Sequence, residues 1–295
     1  MTTRMTTRMT TRMTMRMRMK STRKEPASLK WSGRTDIGKV RKNNEDSFLA
    51  LQFDARETHR LGKIGEASTE KTDFVFAVCD GMGGAKSGEF ASRIAVDKIT
   101  TLLPRAFQQS ASGLNAGFSD VLTELFAQIH RALVFVGGSY EETDGMQTTL
   151  SLCWFMPGWI YFGHIGDSRI YHLPAKKKEI RQLTHDDTHV GWLFRNGQIN
   201  EREARTHPRR NVLQRALGGA NQFVDPQVGA VAYGRGDIFL LCTDGLTDGL
   251  YDGNLIELLR QNPANGGTSP ANLLVESSLK NSGRDNTTAL VVQVV

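Results

Sequence analysis

Six short motifs carry carboxylates at places where a chain turns: Glu45-Asp46, Asp80-Gly81, Asp144 in DGMQTT, Asp167 in GDSR, Asp244 in TDGLTDG and Asp285 in GRDNTT. A lone aspartate in a turn ordinarily bonds nearby backbone donors and does nothing more. Here three of the aspartates directly bound apolar stretches that read as core. Carboxylates delivered to the ends of core strands need cations or hydrogen-bond donors to be tolerated. Several of them cannot converge unless ions neutralise their mutual repulsion. No His or Cys cluster accompanies the acids, and an oxygen-only ligand set selects hard divalent cations such as Mg²⁺ or Mn²⁺.

The elements that must position these acids follow from hydrophobic patterning. Phe74-Val75-Phe76-Ala77-Val78-Cys79 is an unbroken apolar run ending at Asp80 and the glycines Gly81, Gly83 and Gly84. That pattern fits a strand buried on both faces, followed by a turn where backbone can approach a ligand. Ile238 to Cys242 repeats the design and leads to Asp244. Further strands are expected over Trp31 to Ile37, Ser47 to Gln52, Thr148 to Phe155, Trp159 to His164, Arg169 to Leu173, Ile180 to Leu183, Val228 to Ala232 and Thr287 to Val295. Apolar residues at helical spacing predict an amphipathic pair, Ser87 to Phe107 and Phe118 to Val136, and later helices over Leu255 to Arg260 and Ala271 to Lys280. Residues 54–72 read as a polar surface connection, and 187–217 as an inserted subdomain of short helices. Two-faced strands together with paired helices imply two antiparallel sheets with helices outside them. The acidic motifs are spread along the chain, so one domain is expected over residues 29–295.

Charge is distributed unevenly. Eight of the 37 Lys and Arg residues lie in the first 24 positions, which contain no acid, leaving 29 basic against 31 acidic residues in the rest. The basic character therefore belongs to a tail built on three Met-Thr-Thr-Arg repeats, and no nucleic-acid binding is expected from the domain. Residues 1–28 are expected to be a basic, disordered extension; an organelle-targeting segment and a phosphate- or lipid-seeking arm are alternatives. No run of eighteen apolar residues exists, so no membrane span is expected. Cys79, Cys153 and Cys242 each sit in apolar stretches without metal or redox spacing, as packed thiols of a cytoplasmic protein would.

Taken in order, RKNNEDSF, VCDGMGG, DGMQTT, HIGDSRIY, LTHDD, RALGG, CTDGLTDG and GRDNTT resemble the metal-dependent PP2C/PPM family of protein serine/threonine phosphatases, bacterial type, over residues 29–295. The resemblance implies an α+β fold, a four-layer α-β-β-α sandwich, and hydrolysis of phosphoserine and phosphothreonine by a hydroxide bridging two Mn²⁺ or Mg²⁺ ions. By position, Asp80 would bridge the metals, the Gly81 carbonyl would bind one of them, and Asp244 and Asp285 would complete the other. Glu45 would hold metal-bound water, Asp46 would orient the nucleophile and Arg41 would grip the substrate phosphate. Asp144 would serve a third, weaker metal shared with Asp244. Residues 187–217 correspond to a flap, whose Arg195, Arg202, Arg205, Arg209 and Arg210 could meet phosphate. Partners would be phosphorylated proteins and an opposing serine/threonine kinase, with the enzyme a monomer.

Several neighbours are expected to be structural: Asp167 bonding backbone or Arg169, Asp248 as a helix cap, Asn286 orienting Asp285, and His164 and His185 as satisfied strand-end residues. Three positions depart from the family pattern. Met82 stands where many relatives have a histidine proposed to protonate the leaving group. Gln147 replaces a glycine beside Asp144, which would crowd the third metal. Asp187 replaces the histidine of the LTxDH pattern. The alternative reading is a silent binding module of the same fold; such modules lose metal ligands, and Asp80, Asp244 and Asp285 are all present.

Overall fold

The computed structural model describes residues 27–83, 87–111, 117–219, 224–261 and 267–295. The basic repeat lies outside the described residues, as does Gly84. Of the extension expected over residues 1–28 only Ala27 and Ser28 are described, and Ser28 already begins a strand. Chain order runs through β1 (Ser28–Asp36), β2 (Asp46–Phe53), β3 (Thr58–Arg60), β4 (Ile64–Ser68) and β5 (Asp73–Met82) to helices α1 (Ser87–Ala111) and α2 (Phe118–Gly137). β6 (Gln147–Thr148), β7 (Leu150–Met156), β8 (Trp159–Ile165), β9 (Arg169–Leu173) and β10 (Arg181–Gln182) follow. Short helices α3 (His189–Arg195) and α4 (Glu201–Thr206) precede β11 (Leu217–Gly218), β12 (Gln227–Ala232) and β13 (Ile238–Cys242). The chain then forms α5 (Asp244–Gly249), α6 (Asp252–Arg260), α7 (Pro270–Asn281) and β14 (Thr287–Val294).

Two antiparallel sheets result. One has the order β10-β9-β13-β14-β1-β4; the other centres on β5, which pairs with β2 and β7, with β8 and β12 beyond and the short β6 and β11 at its end. Period-two alternation divides each central strand between two cores. Phe74, Phe76 and Val78 of β5 meet Phe239, Leu241, Leu290 and Val292 between the sheets. Val75, Ala77 and Cys79 face the other way, onto Ala95, Ile99, Leu125, Phe126 and Ile129 of α1 and α2. Leu240, Cys242, Ala289 and Val291 likewise turn outward onto Leu246, Leu255, Leu274 and Val275 of α5, α6 and α7. The four layers are those expected from strands apolar on both faces.

Local expectations were revised where burial gives no sequence signal. Residues 54–72 contain the strands β3 and β4; β4 pairs with β1 at a sheet edge, so it needs no apolar face. The strand expected at Ile180 to Leu183 shrinks to two residues, and the six-residue α5 replaces a simple turn after Cys242. Among the described residues no helix is long and apolar enough to cross a membrane, and the three cysteines are buried and free.

Candidate metal centre and phosphate cleft

Sheet register brings the first acids together. Asp46, at the start of β2, lies opposite Asp80 near the end of β5. The backbone of Asp80 is clamped: its N–H donates to Thr149 Oγ1 at 2.9 Å, and its carbonyl accepts from the Thr149 N–H and the Thr148 hydroxyl, both at 2.9 Å. The Thr-Thr pair after Gln147 thus fixes the strand end that presents the Asp80 carboxylate. Gly81 is required by close packing, since a Cβ there would lie 2.0 Å from the Gly88 carbonyl oxygen.

The other sheet supplies Asp244 and Asp285. Asp244 opens α5 directly after Thr243, and the Thr243 and Thr288 hydroxyls donate to Asp46 Oδ2 at 2.8 and 2.6 Å. Those two bonds tie the sheets together beneath the cleft. Asn286 ties down its rim. Its Oδ1 accepts from the Glu45 N–H at 2.8 Å, and its amide donates to the Ile37 and Asn43 carbonyls, each at 2.9 Å. Its backbone N–H also donates to Asp285 Oδ1 at 2.8 Å. Arg41 Nη2 donates to Asp285 Oδ2 at 2.6 Å.

Asp80, Asp244, Asp285, Glu45, Arg41 and the Gly81 backbone line one cleft of about 500 Å³. Asp46 lies directly behind it, buried. Asp144 is not brought to this cleft: it is exposed at the end of a one-turn helix (Glu141–Thr143). Asp167, expected to be structural, lines the cleft, and so does Asn211. Arg169 does not pair with Asp167; its guanidinium forms a two-pronged pair with Asp186, at 2.9 and 2.6 Å. Nor is Asp248 a helix cap: it lies near the end of α5 and pairs with Arg210 at 2.7 Å. His164 is a satisfied core histidine, bonded to Ser151, Gly166 and His185. Asp187 fastens the segment 187–217 to the GDSR turn by accepting from the Gly166 N–H at 3.0 Å.

The electrostatics of this cluster are adverse. Burial, partly offset by its two threonine bonds and reinforced by Asp244 and Asp285, pushes the Asp46 carboxyl up to about 7. Burial, with Asp248 and Asp285 adding to it, pushes Asp244 to about 7. Asp80 and Asp167 are raised well above the carboxylate range, first by burial and then by neighbouring acids. Glu45 is raised by burial against the lowering effect of Arg41. Asp46 Oδ1 and Asp244 Oδ1 are buried without a hydrogen-bond partner. Unpartnered carboxylate oxygens crowded at one cleft suit hard divalent cations, which would restore the ionised state. Among the described residues no three acidic, His or Cys side chains close into a single-ion ligand group; the acids line the cleft side by side.

Several of the arginines in residues 187–217 that could meet phosphate are committed elsewhere. Arg195 donates to the Asp186 carbonyl at 2.9 Å. Arg205 donates to the Thr247 carbonyl at 2.7 Å and lies 3.9 Å over the Tyr251 ring. Arg210 holds Asp248. Arg202 and Arg209 are exposed.

Two sheets flanked by helices, with an acidic cleft where strands from both sheets end, define the class: carboxylate-lined α-β-β-α sandwiches. A family model described as Protein phosphatase 2C matches residues 63–264, and the chain belongs to that family. It is 33% identical over 270 residues to the serine/threonine protein phosphatase PstP of Mycobacterium tuberculosis, covering 90% of this chain and 45% of that protein. The chain thus spans less than half the length of that relative. It is 30% identical over 261 residues to the serine/threonine phosphatase stp of Listeria monocytogenes, covering 88% of this chain and 94% of that one. Among solved structures, the S. agalactiae serine/threonine phosphatase superposes with a TM-score of 0.73 at 27% identity, covering 90% of this chain and all (100%) of that one. The PstP catalytic domain in complex with two manganese ions gives 0.67 at 30% identity, covering 92% and 100%.

Proposed function

We propose that this chain is a Mn²⁺- or Mg²⁺-dependent protein phosphatase acting on phosphoserine and phosphothreonine. The observation that carries the reading is the arrival of Asp80, Asp244 and Asp285, from the ends of different strands, at one cleft beside Arg41. Asp80, Asp244, Asp285 and the Gly81 carbonyl would hold two divalent cations. When bound, such a pair supplies Lewis acidity, neutralising phosphate oxygens and lowering the pKa of water. The chain's own residues supply the rest. Arg41, half-exposed at the rim, offers planar paired donors to non-bridging phosphate oxygens and is aimed by Asp285. Asp46, with Oδ2 fixed by two threonines, presents Oδ1 as an acceptor that can orient a proton behind the cleft. The Glu45 backbone N–H is held by the Asn286 side chain, and its carboxylate lines the cleft as an acceptor that would hold water there. Asp144, exposed in this structure, is a candidate for a third, weaker cation only if its turn moves inward.

Residues 29–295 form the catalytic domain, with 187–217 as its flap. Phosphoproteins modified by a serine/threonine kinase are its substrates, and it works as a cytoplasmic monomer. Hydrolysis of p-nitrophenyl phosphate and of a phosphothreonine peptide tests the reading. Turnover with Mn²⁺ is expected, none with chelator, and at least a hundredfold loss in Asp80→Asn. Turnover that survives chelator and Asp80→Asn alike would refute it.

A further inference from the structure

Next to the phosphate cleft lies a second, wider cavity of about 770 Å³, within the roughly 300–1,000 Å³ span of ligand sites. Its walls are the loop joining β1 to β2, the turn between β3 and β4, and the exposed side of α1. Its floor is apolar, from Phe48, Ala50 and Val96. Lys42 and Asn43 line both cavities, so one continues into the other across the loop that carries Arg41 and Glu45.

The charges around this groove are not balanced. Arg60 is paired with Asp97 at 3.2 Å and Arg93 with Glu89 at 2.9 Å, which uses the exposed Asp97 and the half-buried Glu89 of the wall. The third acid, Asp46, is buried and engaged with the threonines from the far side. Lys42 and Lys63 remain: both are exposed, and among the described residues neither has a carboxylate partner. One stands on the ridge shared with the phosphate cleft and the other on the opposite turn. A chain lying along the apolar floor from the cleft would pass between two uncompensated ammonium groups.

We propose that this groove binds the segment of the phosphoprotein flanking its phosphorylated residue, and that Lys42 and Lys63 select segments with acidic side chains there. The inference rests on the phosphatase reading of the adjoining cleft. It makes the β1–β2 loop a double reader, with Arg41 facing the phosphate and Lys42 facing its sequence neighbours. Lysine suits the second task because a flexible point charge accepts acids in several positions.

The test compares two phosphothreonine peptides, identical except for glutamates or glutamines around the phosphothreonine, with p-nitrophenyl phosphate as a substrate that has no flanks. With Mn²⁺ at low ionic strength, the native chain is expected to favour the acidic peptide by roughly fivefold in kcat/KM, the size of two exposed ion pairs. Lys63→Glu should bring the acidic-to-neutral ratio to one or below, mainly through KM. High salt should erode the native preference. The groove is refuted if the ratio is unchanged in both Lys63→Glu and Lys42→Glu, or if all three substrates fall by the same factor. Failure of the native chain to hydrolyse any of the three with Mn²⁺ would instead overturn the phosphatase reading, and the groove with it.

Discussion

Asp46→Asn removes one charge from the crowd behind the cleft and leaves an oxygen for the Thr243 and Thr288 hydroxyls. In the folded chain burial raises the Asp46 carboxyl from 3.8 to about 7. Between those values the folded protein keeps a proton that the unfolded chain has lost. Without metal, stability therefore falls as pH climbs from about 4 to about 7, and the full penalty stands above that. At about 1.4 kcal/mol per pH unit the penalty is about 4 kcal/mol. The amide of the asparagine would occupy the place where Oδ1 has no partner, at a cost of about 1–3 kcal/mol. A net stabilisation of about 1–3 kcal/mol remains at pH 8, or about 5 °C in Tm for a domain of this size. Thermal unfolding in chelator at pH 5 and pH 8 provides the assay. The variant should exceed the parent at pH 8 and match it or fall below it at pH 5; assayed separately with Mn²⁺, it should lose turnover. If Asp46→Asn is less stable at pH 8, or if both proteins show the same pH dependence, the account of a strained carboxylate is wrong.

Other replacements probe the supports of the site. Asn286→Ala removes the bonds to Glu45, Ile37 and Asn43; a loss of about 2 kcal/mol in urea unfolding and weaker Mn²⁺ binding by calorimetry are expected. Gly81→Ala should cost about 3 kcal/mol or prevent folding, because its Cβ would strike the Gly88 backbone. Gly145→Ala, with a φ of +68° and open space around it, should cost only about 1 kcal/mol in the same denaturation series. Arg210→Ala frees Asp248 from its 2.7 Å ion pair; faster limited proteolysis within residues 195–212 is expected, with global stability changed by about 1 kcal/mol or less. Because His164 is bonded on both ring nitrogens and burial lowers its pKa, the acid limb of the pH–rate profile should not move in His164→Gln.

The sandwich was legible because β5, β13 and β14 are apolar on both faces, and only a strand covered on both sides reads that way. The convergence of Asp80, Asp244 and Asp285 was legible because each ends or begins such a strand. Asp167 was harder to read, because a GDSR turn looks the same whether its carboxylate bonds backbone or faces a cleft. Its neighbour Arg169 was misassigned since Asp186, seventeen residues on, is closer in space than in sequence. Asp248 looked like a cap because α5, six residues long, has too little periodicity to be seen as a helix. The edge strand β4 lacks a buried face, so alternation had nothing to record. For the arginines of 187–217, charge alone could not separate Arg202 and Arg209, which are exposed, from Arg205 and Arg210, which point down onto α5.

Strand β14 occupies the middle of its sheet, between β13 and β1, so the first and last strands of the domain are neighbours. Ribosomal synthesis delivers that central member after every other strand of the domain, together with Asp285 and Asn286 just ahead of it. Until then β1 and β13 have no common partner, and the cleft lacks both a carboxylate and the clamp on its rim. A chain without β14 would carry two open edges instead of a binding site, so a whole cleft requires this strand to be in place.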